Sequence, residues 1–345
     1  MDFEPGSRDV FAPQAPTALS RRELLAFDLT DGGAGYWIRV HRRAMACRFE
    51  VTLSGEDGRH VPAAREALDE VDRIEDSLTV FRETSDLVRV NRAAGSAPVP
   101  VDDGLFSLLR LCRELHERTQ GAFDVTSTPL SRCWGFLRRE GRLPTPEEIA
   151  AALEAVGMDG VELDEGPRTV RFRRPGMELN LGSVGKGYAL RRVGNLLRER
   201  GVGHALLSAG GSSVLAIGGR RGGWVVDLRS RRVQRDRLAR LRLYDTALAT
   251  SGAGEQFIEV AGTRYGHVLD PRTGSPAADV LSASVVTADA AVADALSTAF
   301  LVGGADLARR YCAAHPGTLA LITPDDGSER PRVFGECPGA TLEGA

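Results

Sequence analysis

The feature that most constrains this chain is the way glycine cuts its second half into short apolar runs. His204–Ser208, Ser213–Ile217, Gly223–Leu228, Arg240–Leu243, Gln256–Val260 and Ala283–Thr287 are all of strand length. They are separated by turns that glycine enters easily, because it has no Cβ to forbid positive φ. Such runs are too short for stable helices and must pair to satisfy their backbone groups. Helices over Ala288–Leu301 and Ala305–Ala314 follow. Residues 36–335 contain no fixed-period repeat and no low-complexity linker. The pattern predicts the α+β class: a single two-lobed domain with mixed or antiparallel sheets, helices and a cleft.

The first half is more helical. Gly35–Leu53 alternates well enough to read as a strand or hairpin, and Ala64, Leu68, Val71 and Ile74 place one apolar face on a helix from Val61 to about Thr79. Leu105, Leu108, Leu109, Cys112 and Leu115 do the same for a helix over Asp102–Gln120, with Gly121 as its stop. Thr145-Pro146-Glu147-Glu148 is a helix start: a hydroxyl N-cap, proline at the first position, and acids at the positive dipole end. That helix is expected to end near Gly157. Two short strands around Gly166-Pro167 and a glycine turn leading into a helix before Gly201 complete the reading.

A formal net charge of −3 and a pI near 6.1 leave no basic footprint for nucleic acid or an anionic membrane surface. Residues 1–35 hold acids and prolines but no apolar run of signal-peptide length, so they read as a loosely ordered tail. Residues 336–345 read as a flexible C-terminal tail. The five cysteines (Cys47, Cys112, Cys133, Cys312, Cys337) are odd in number and lack CxxC spacing. Reduced, mostly buried thiols in a cytoplasmic protein without an integral membrane segment are the expectation. The oligomeric state is not legible.

Of 44 basic side chains only Lys186 is lysine. Where arginine is otherwise universal, a lone ammonium suggests a site needing a compact charge rather than a planar fork. Lys186 lies in Leu181-Gly182-Ser183-Val184-Gly185-Lys186-Gly187-Tyr188, a glycine-rich entry to a helix and so a natural anion site. The run is not a Walker A loop, since Gly187 stands where Ser or Thr is required, and Gly210-Gly211 does not fit GxGxxG. Asp294 and Thr298, four apart on a helix, share a face and can direct two oxygens at one hard cation. Taken alone, the pair also describes a solvated acid and an interior threonine. His267, opening the turn His267-Val268-Leu269-Asp270-Pro271-Arg272-Thr273-Gly274, reads equally as a structural hydrogen-bonder.

Taken in order, these motifs resemble one family, the FAD:protein FMN transferases or ApbE flavin transferases. The resemblance rests on Glu75-Asp76-Ser77 with Ser85 and Asn91, Gly121 to Thr126, Leu181 to Tyr188, and Ala209-Gly210-Gly211. It continues through Ala249-Thr250-Ser251-Gly252, His267 to Gly274, and Ala293 to Thr298. It implies a central FAD cleft and Mg²⁺-dependent transfer of FMN from FAD to a Thr or Ser hydroxyl of a flavoprotein segment, with release of AMP. It further implies that Gly185, Asp294 and Thr298 hold Mg²⁺, with Asp294 thereby catalytic, and that His267 serves as general base or orienter of the acceptor hydroxyl. Met45, Phe123, Asp124, Thr126, Lys186, Gly210, Gly211, Ser212, Thr250, Ser251, Gly252 and His267 would face FAD.

Three places in the chain depart from the family pattern. Met45-Ala46-Cys47 stands where Met-Gly-Thr is usual, Ser212 where Asp or Asn follows the two glycines, and Arg191 where an acid follows the tyrosine. They keep two alternatives open: a non-catalytic FAD-binding protein, and a Mg²⁺-dependent FAD pyrophosphatase.

Overall fold

The structure is a computed structural model. It describes residues 25–28, 36–137, 141–219, 222–229, 237–253, 257–260, 263–328 and 330–344. In chain order, β1 (Leu25–Asp28), β2 (Trp37–Ala44) and β3 (Cys47–Ser54) precede α1 (Val61–Leu78), α2 (Asp86–Ala93), β4 (Val99–Pro100), α3 (Asp103–Arg118), α4 (Thr128–Cys133) and α5 (Pro146–Leu153). β5 (Val161–Asp164) and β6 (Thr169–Phe172) lead to α6 (Gly185–Glu199), then β7 (Ala205–Ala209), β8 (Ser213–Ile217), β9 (Trp224–Arg229), β10 (Arg237–Leu243) and β11 (Ala247–Gly252). The hairpin β12 (Phe257–Val260) and β13 (Thr263–Gly266), β14 (Val280–Thr287), α7 (Ala290–Ala314), β15 (Leu319–Pro324), β16 (Arg332–Gly335) and β17 (Ala340–Gly344) complete the chain.

The α+β class holds, and among the described strands every ladder is antiparallel. The glycine-cut runs build an eight-stranded sheet in the order β16-β15-β14-β11-β8-β7-β3-β2. Period-2 alternation gives it two apolar faces. Leu207, Leu215, Ala249, Val285 and Ala320 pack into the core shared with the helices. Leu206, Val214, Leu248, Val286 and Leu321 point the other way, onto a four-stranded sheet in the order β1-β9-β10-β17. A strand buried on both faces reads as a continuous apolar run, which is how β8 (Ser-Val-Leu-Ala-Ile) looks in the sequence.

The expected cap at Thr145 is present, and α3 has one as well. The Asp102 side chain caps α3 at Leu105 N, and Thr145 with Glu148 forms a full capping box on α5. By length and composition α7 could cross a membrane, yet most of its apolar window is buried. Leu296, Phe300 and Leu301 are fully enclosed, each burial stabilising by roughly 1.5–3 kcal/mol. Gly304 breaks α7 at φ 66° and ψ −165°, so the two helices expected from sequence are present as halves of one element.

The expected tails need correction where they are described. Leu25–Asp28 lies inside the presumed N-terminal tail yet pairs with β9, and Leu25 is buried. Ala340–Gly344 pairs with β10, and Cys337 is buried. The reason is physical: the β9–β10 ribbon has two edges and an apolar face to cover, and these segments supply the strands. The remainder of residues 1–35, and Gln256 of the expected Gln256–Val260 strand, lie outside the described residues.

α6 and α7 approach so closely that a Cβ on Gly187 would sit 2.1 Å from the Ala290 carbonyl oxygen and 2.7 Å from Asp294 Cβ. Backbone cannot yield as a side chain does. Gly187→Ala is therefore expected to lower the unfolding free energy by roughly 1–3 kcal/mol in urea titration; an unchanged midpoint would show that the two helices do not need this contact.

Candidate active site

A cleft of about 470 Å³ opens where α6 begins, where β11 ends, and where α7 passes beneath both. Its lining includes Asn180, Lys186, Thr250, Ser251, Gly252, Asp294 and Thr298, together with Phe123, Asp124, Phe136, His267 and Val268, and Ala46 and Phe81 also contribute.

Asp294 is 4% exposed, and its carboxylate is fully organised by the protein. Oδ2 accepts from the Gly187 backbone N–H at 2.9 Å, in the first turn of α6, where the positive end of the helix dipole favours an anion. Oδ1 accepts from Ser213 Oγ at 3.1 Å and lies 3.9 Å from Lys186 Nζ. Lys186 donates to Ser212 Oγ at 2.6 Å. The expected anion site at the start of α6 is thus partly taken by a carboxylate of the chain itself. Beside it Ser251 Oγ lies 2.8 Å from Ser297 Oγ and 3.2 Å from Thr298 Oγ1, and Ser297 Oγ donates to the Asp294 carbonyl. Thr250 Oγ1 is 2.8 Å from Ser284 Oγ on β14.

Among the described residues no three His, Cys, Asp or Glu side chains gather as a metal-binding group. One carboxylate beside cleft-lining hydroxyls fits a cation that prefers oxygen and completes its shell with water and phosphate, which is the habit of Mg²⁺. Both Asp294 oxygens retain acceptor capacity after their protein bonds, since each carboxylate oxygen has about two lone-pair sites. The residues present fit Mg²⁺. Gly185 opens α6 one residue before Lys186 but is not among the cleft-lining residues.

Phe136 and Leu269 of the lining join a small apolar cluster: Leu130, Trp134, Val156 and Leu269 form it, and Phe136, Ile149, Ile258 and Tyr265 pack against it. His267 leaves β13 half-buried and meets the edge of Phe136, ring centroids 6.5 Å apart at 74°. Its turn is pinned. Asp270 Oδ1 accepts from Arg272 N and Nε at 2.9 and 2.8 Å, its carbonyl accepts from Gly274 N at 2.8 Å, and the Gly274 carbonyl accepts from Trp134 Nε1 at 2.9 Å. Asp270 therefore closes the turn and His267 faces the cleft.

Other residues singled out from sequence also make scaffold contacts. Asp124 Oδ1 accepts from Thr126 N and Oγ1 at 2.7 and 2.6 Å, Oδ2 accepts from Met158 N at 3.2 Å, and His116 Nδ1 lies 3.1 Å from Oδ2. The carboxylate clamps the loop that holds Phe123 in the cleft, while Thr126 is fully buried and off the cleft. Met45, Gly210, Gly211 and Ser212 are likewise not among the lining residues. Met45 and Ala46 both take positive φ (49° and 54°) to turn β2 into β3, and Met45 N donates to Glu75 Oε1 at 2.9 Å. Asn91 bonds Leu179 in both directions. Arg191 pairs at 3.0 Å with Asp289, the N-cap of α7, and so strengthens a helix junction. Sequence reasoning missed Ser213, Ser297, Asn180, Phe81 and Phe136. Only the hydroxyl pair Ser212-Ser213 after two glycines carried a readable signal.

Residues 45–323 match the model of the ApbE family. The chain belongs to the ApbE family. It is 33% identical over 266 residues to the FAD:protein FMN transferase of Treponema pallidum, spanning 72% of this chain and 73% of that protein. Among solved structures, the ApbE protein of Thermotoga maritima superposes with a TM-score of 0.79 at 30% identity, covering 87% of this chain and 97% of that one. The flavinyl transferase ApbE of Pseudomonas stutzeri gives a TM-score of 0.76 at 24% identity and shows the shared fold. An ApbE fold with mixed helix and antiparallel sheet is the expected α+β class.

The Asp124 clamp has a pH signature. Burial works against a charged His116, but the hydrogen bond to Asp124 and its negative charge outweigh that and raise the imidazole pKa. A raised folded pKa contributes stability that is fully present below the ordinary histidine value near 6.5 and is lost as pH rises through the folded pKa. The stability gap between wild type and His116→Gln, measured by thermal melts, should be widest at pH 5–6 and narrow above neutrality. A gap independent of pH would mean that His116 is not charged in the fold.

Proposed function

We propose that this ApbE-family chain transfers the FMN half of FAD to a Thr or Ser hydroxyl of an acceptor flavoprotein, with Mg²⁺ and with release of AMP. The observation that carries the reading is the convergence in one cleft of an organised carboxylate, Asp294, with Thr298, the lone lysine and His267. The names of its relatives support the same chemistry.

When bound, Mg²⁺ would supply Lewis-acid neutralisation of pyrophosphate charge, and Asp294 and Thr298, with the Gly185 carbonyl proposed from family likeness, would hold it. Lys186 brings a positive charge to the same side of the cleft and favours the anionic substrate there. His267, held by a pinned turn, accepts the proton of the acceptor hydroxyl as that oxygen bonds to the FMN-side phosphorus. The phosphorus–oxygen bond to AMP breaks, and AMP leaves with the electron pair. Phe123 and Phe136 give the cleft apolar faces suited to a flat ring system. Thr250, Ser251 and Gly252 line the phosphate side.

The acceptor is a separate polypeptide, and nothing in the chain's charge favours nucleic acid. Cys112, Cys133, Cys312 and Cys337 are buried thiols whose pKa values burial raises, Cys312 to about 11, so they take no part in the proposed chemistry.

Incubation with FAD, an acceptor protein and either Mg²⁺ or EDTA should yield AMP and covalently flavinylated acceptor in equal amounts with Mg²⁺ only. AMP and FMN without acceptor labelling would mean a pyrophosphatase, and bound but intact FAD a binding protein. Asp294→Ala should abolish Mg²⁺-dependent turnover while leaving weakened FAD binding. His267→Ala should reduce transfer by roughly 10²–10⁴-fold, well beyond any loss of FAD affinity; equal losses in both would reduce His267 to a wall residue.

A further inference from the structure

Two adjacent serines at the entry to β8 hold Asp294 and Lys186, one each. Ser213 Oγ donates to Asp294 Oδ1 at 3.1 Å, and Ser212 Oγ accepts from Lys186 Nζ at 2.6 Å. Both serines are buried, at 2% and 7% exposure, and their backbone is fixed. The Ser212 N–H donates to the Ala209 carbonyl across the Gly210-Gly211 turn, and the Ser212 carbonyl accepts from Thr250 N at 2.7 Å. The outcome is an ammonium 3.9 Å from the carboxylate, beyond the distance of a charge-assisted hydrogen bond at about 2.7–2.9 Å. An ammonium left to itself beside a buried carboxylate would close that gap, because their attraction grows as water is excluded.

We propose that the Ser212-Ser213 pair is a positioning unit. Ser213 fixes the Asp294 rotamer, and Ser212 holds the Lys186 ammonium off Oδ1, so that the carboxylate keeps acceptor capacity for a divalent cation. Neither serine touches the substrate in this account: Ser212 acts through Lys186, and Ser213 through Asp294. The inference rests on the Mg²⁺ reading of Asp294. It accounts for a neutral side chain at position 212, where a hydroxyl engages the lysine without adding a second negative charge.

The test is cation affinity, read by titrating Mn²⁺ into the purified full-length protein with FAD present and following bound metal by electron paramagnetic resonance. Outer-sphere partners of this kind are worth about 10–100-fold in metal affinity. Ser213→Ala should weaken Mn²⁺ binding by at least about tenfold on that scale, and Ser213→Thr, which keeps the hydroxyl, should recover most of it. Ser212→Ala should weaken Mn²⁺ binding because Lys186 then closes on Asp294. The double variant Ser212→Ala/Lys186→Met should bind Mn²⁺ more tightly than Ser212→Ala alone, since the competing cation is gone. General loosening of the site would not produce that relief. Unchanged affinity in Ser212→Ala, or a loss that Lys186→Met does not relieve, overturns the proposal while leaving the metal assignment standing. Absence of Mn²⁺ binding in the wild type would overturn both. Thermal melts of each variant, with Ser212→Thr as a hydroxyl-retaining control expected to match wild type, separate lost positioning from lost folding.

Discussion

The Asp294 carboxylate ties α7 to the first turn of α6, and the rest of the cleft depends on that tie. A carboxylate this deeply buried would be costly without partners. Here the Gly187 N–H, the Ser213 hydroxyl and the nearby lysine offset the cost. The tie also demands a glycine at 187, because any Cβ would strike the Ala290 carbonyl. One interaction therefore sets helix spacing, orients the acid and places Lys186 at the cleft wall. A residue proposed for metal binding is at the same time a fold-defining contact.

The layers explain why so many short segments meet there. The eight-stranded sheet is enclosed between helices and the smaller sheet, so its strands are committed to packing along most of their length. Polar chemistry is left to the places where elements begin and end: the β7–β8 turn, the end of β11 and the start of α6. A separate apolar cluster joins α4, α5 and the β12–β13 hairpin. His267, which follows β13, is thus supported by different elements from Asp294 on α7, and both line the same cleft.

What could be read from sequence was local. The shared face of Asp294 and Thr298 follows from helical spacing, the cap at Thr145 from side-chain chemistry, and the turn after His267 from its Asp, Pro and Gly residues. What could not be read was long-range. Gly187 meets Asp294 across 107 positions, and Ser213 meets it across 81. Asp124 lines the cleft as a pocket residue would, and its bonds to Thr126, Met158 and His116, which no local rule names, also make it a clamp. Arg191, a charge reversal against the family pattern, found Asp289 as a partner that no local rule would name. The presumed tails hid β1 and β17 because an edge strand's need for a neighbour is invisible until the ribbon it covers is built.

The cation site proposed at Asp294 and Thr298 is tested most directly by a crystal structure of the protein with Mn²⁺ and FAD, with the metal located by its anomalous scattering. A peak bonded to an Asp294 carboxylate oxygen and Thr298 Oγ1 is expected, with the FAD pyrophosphate beside it. A peak elsewhere, or Asp294 bonded directly to Lys186 with no metal between them and the phosphates, would contradict that assignment.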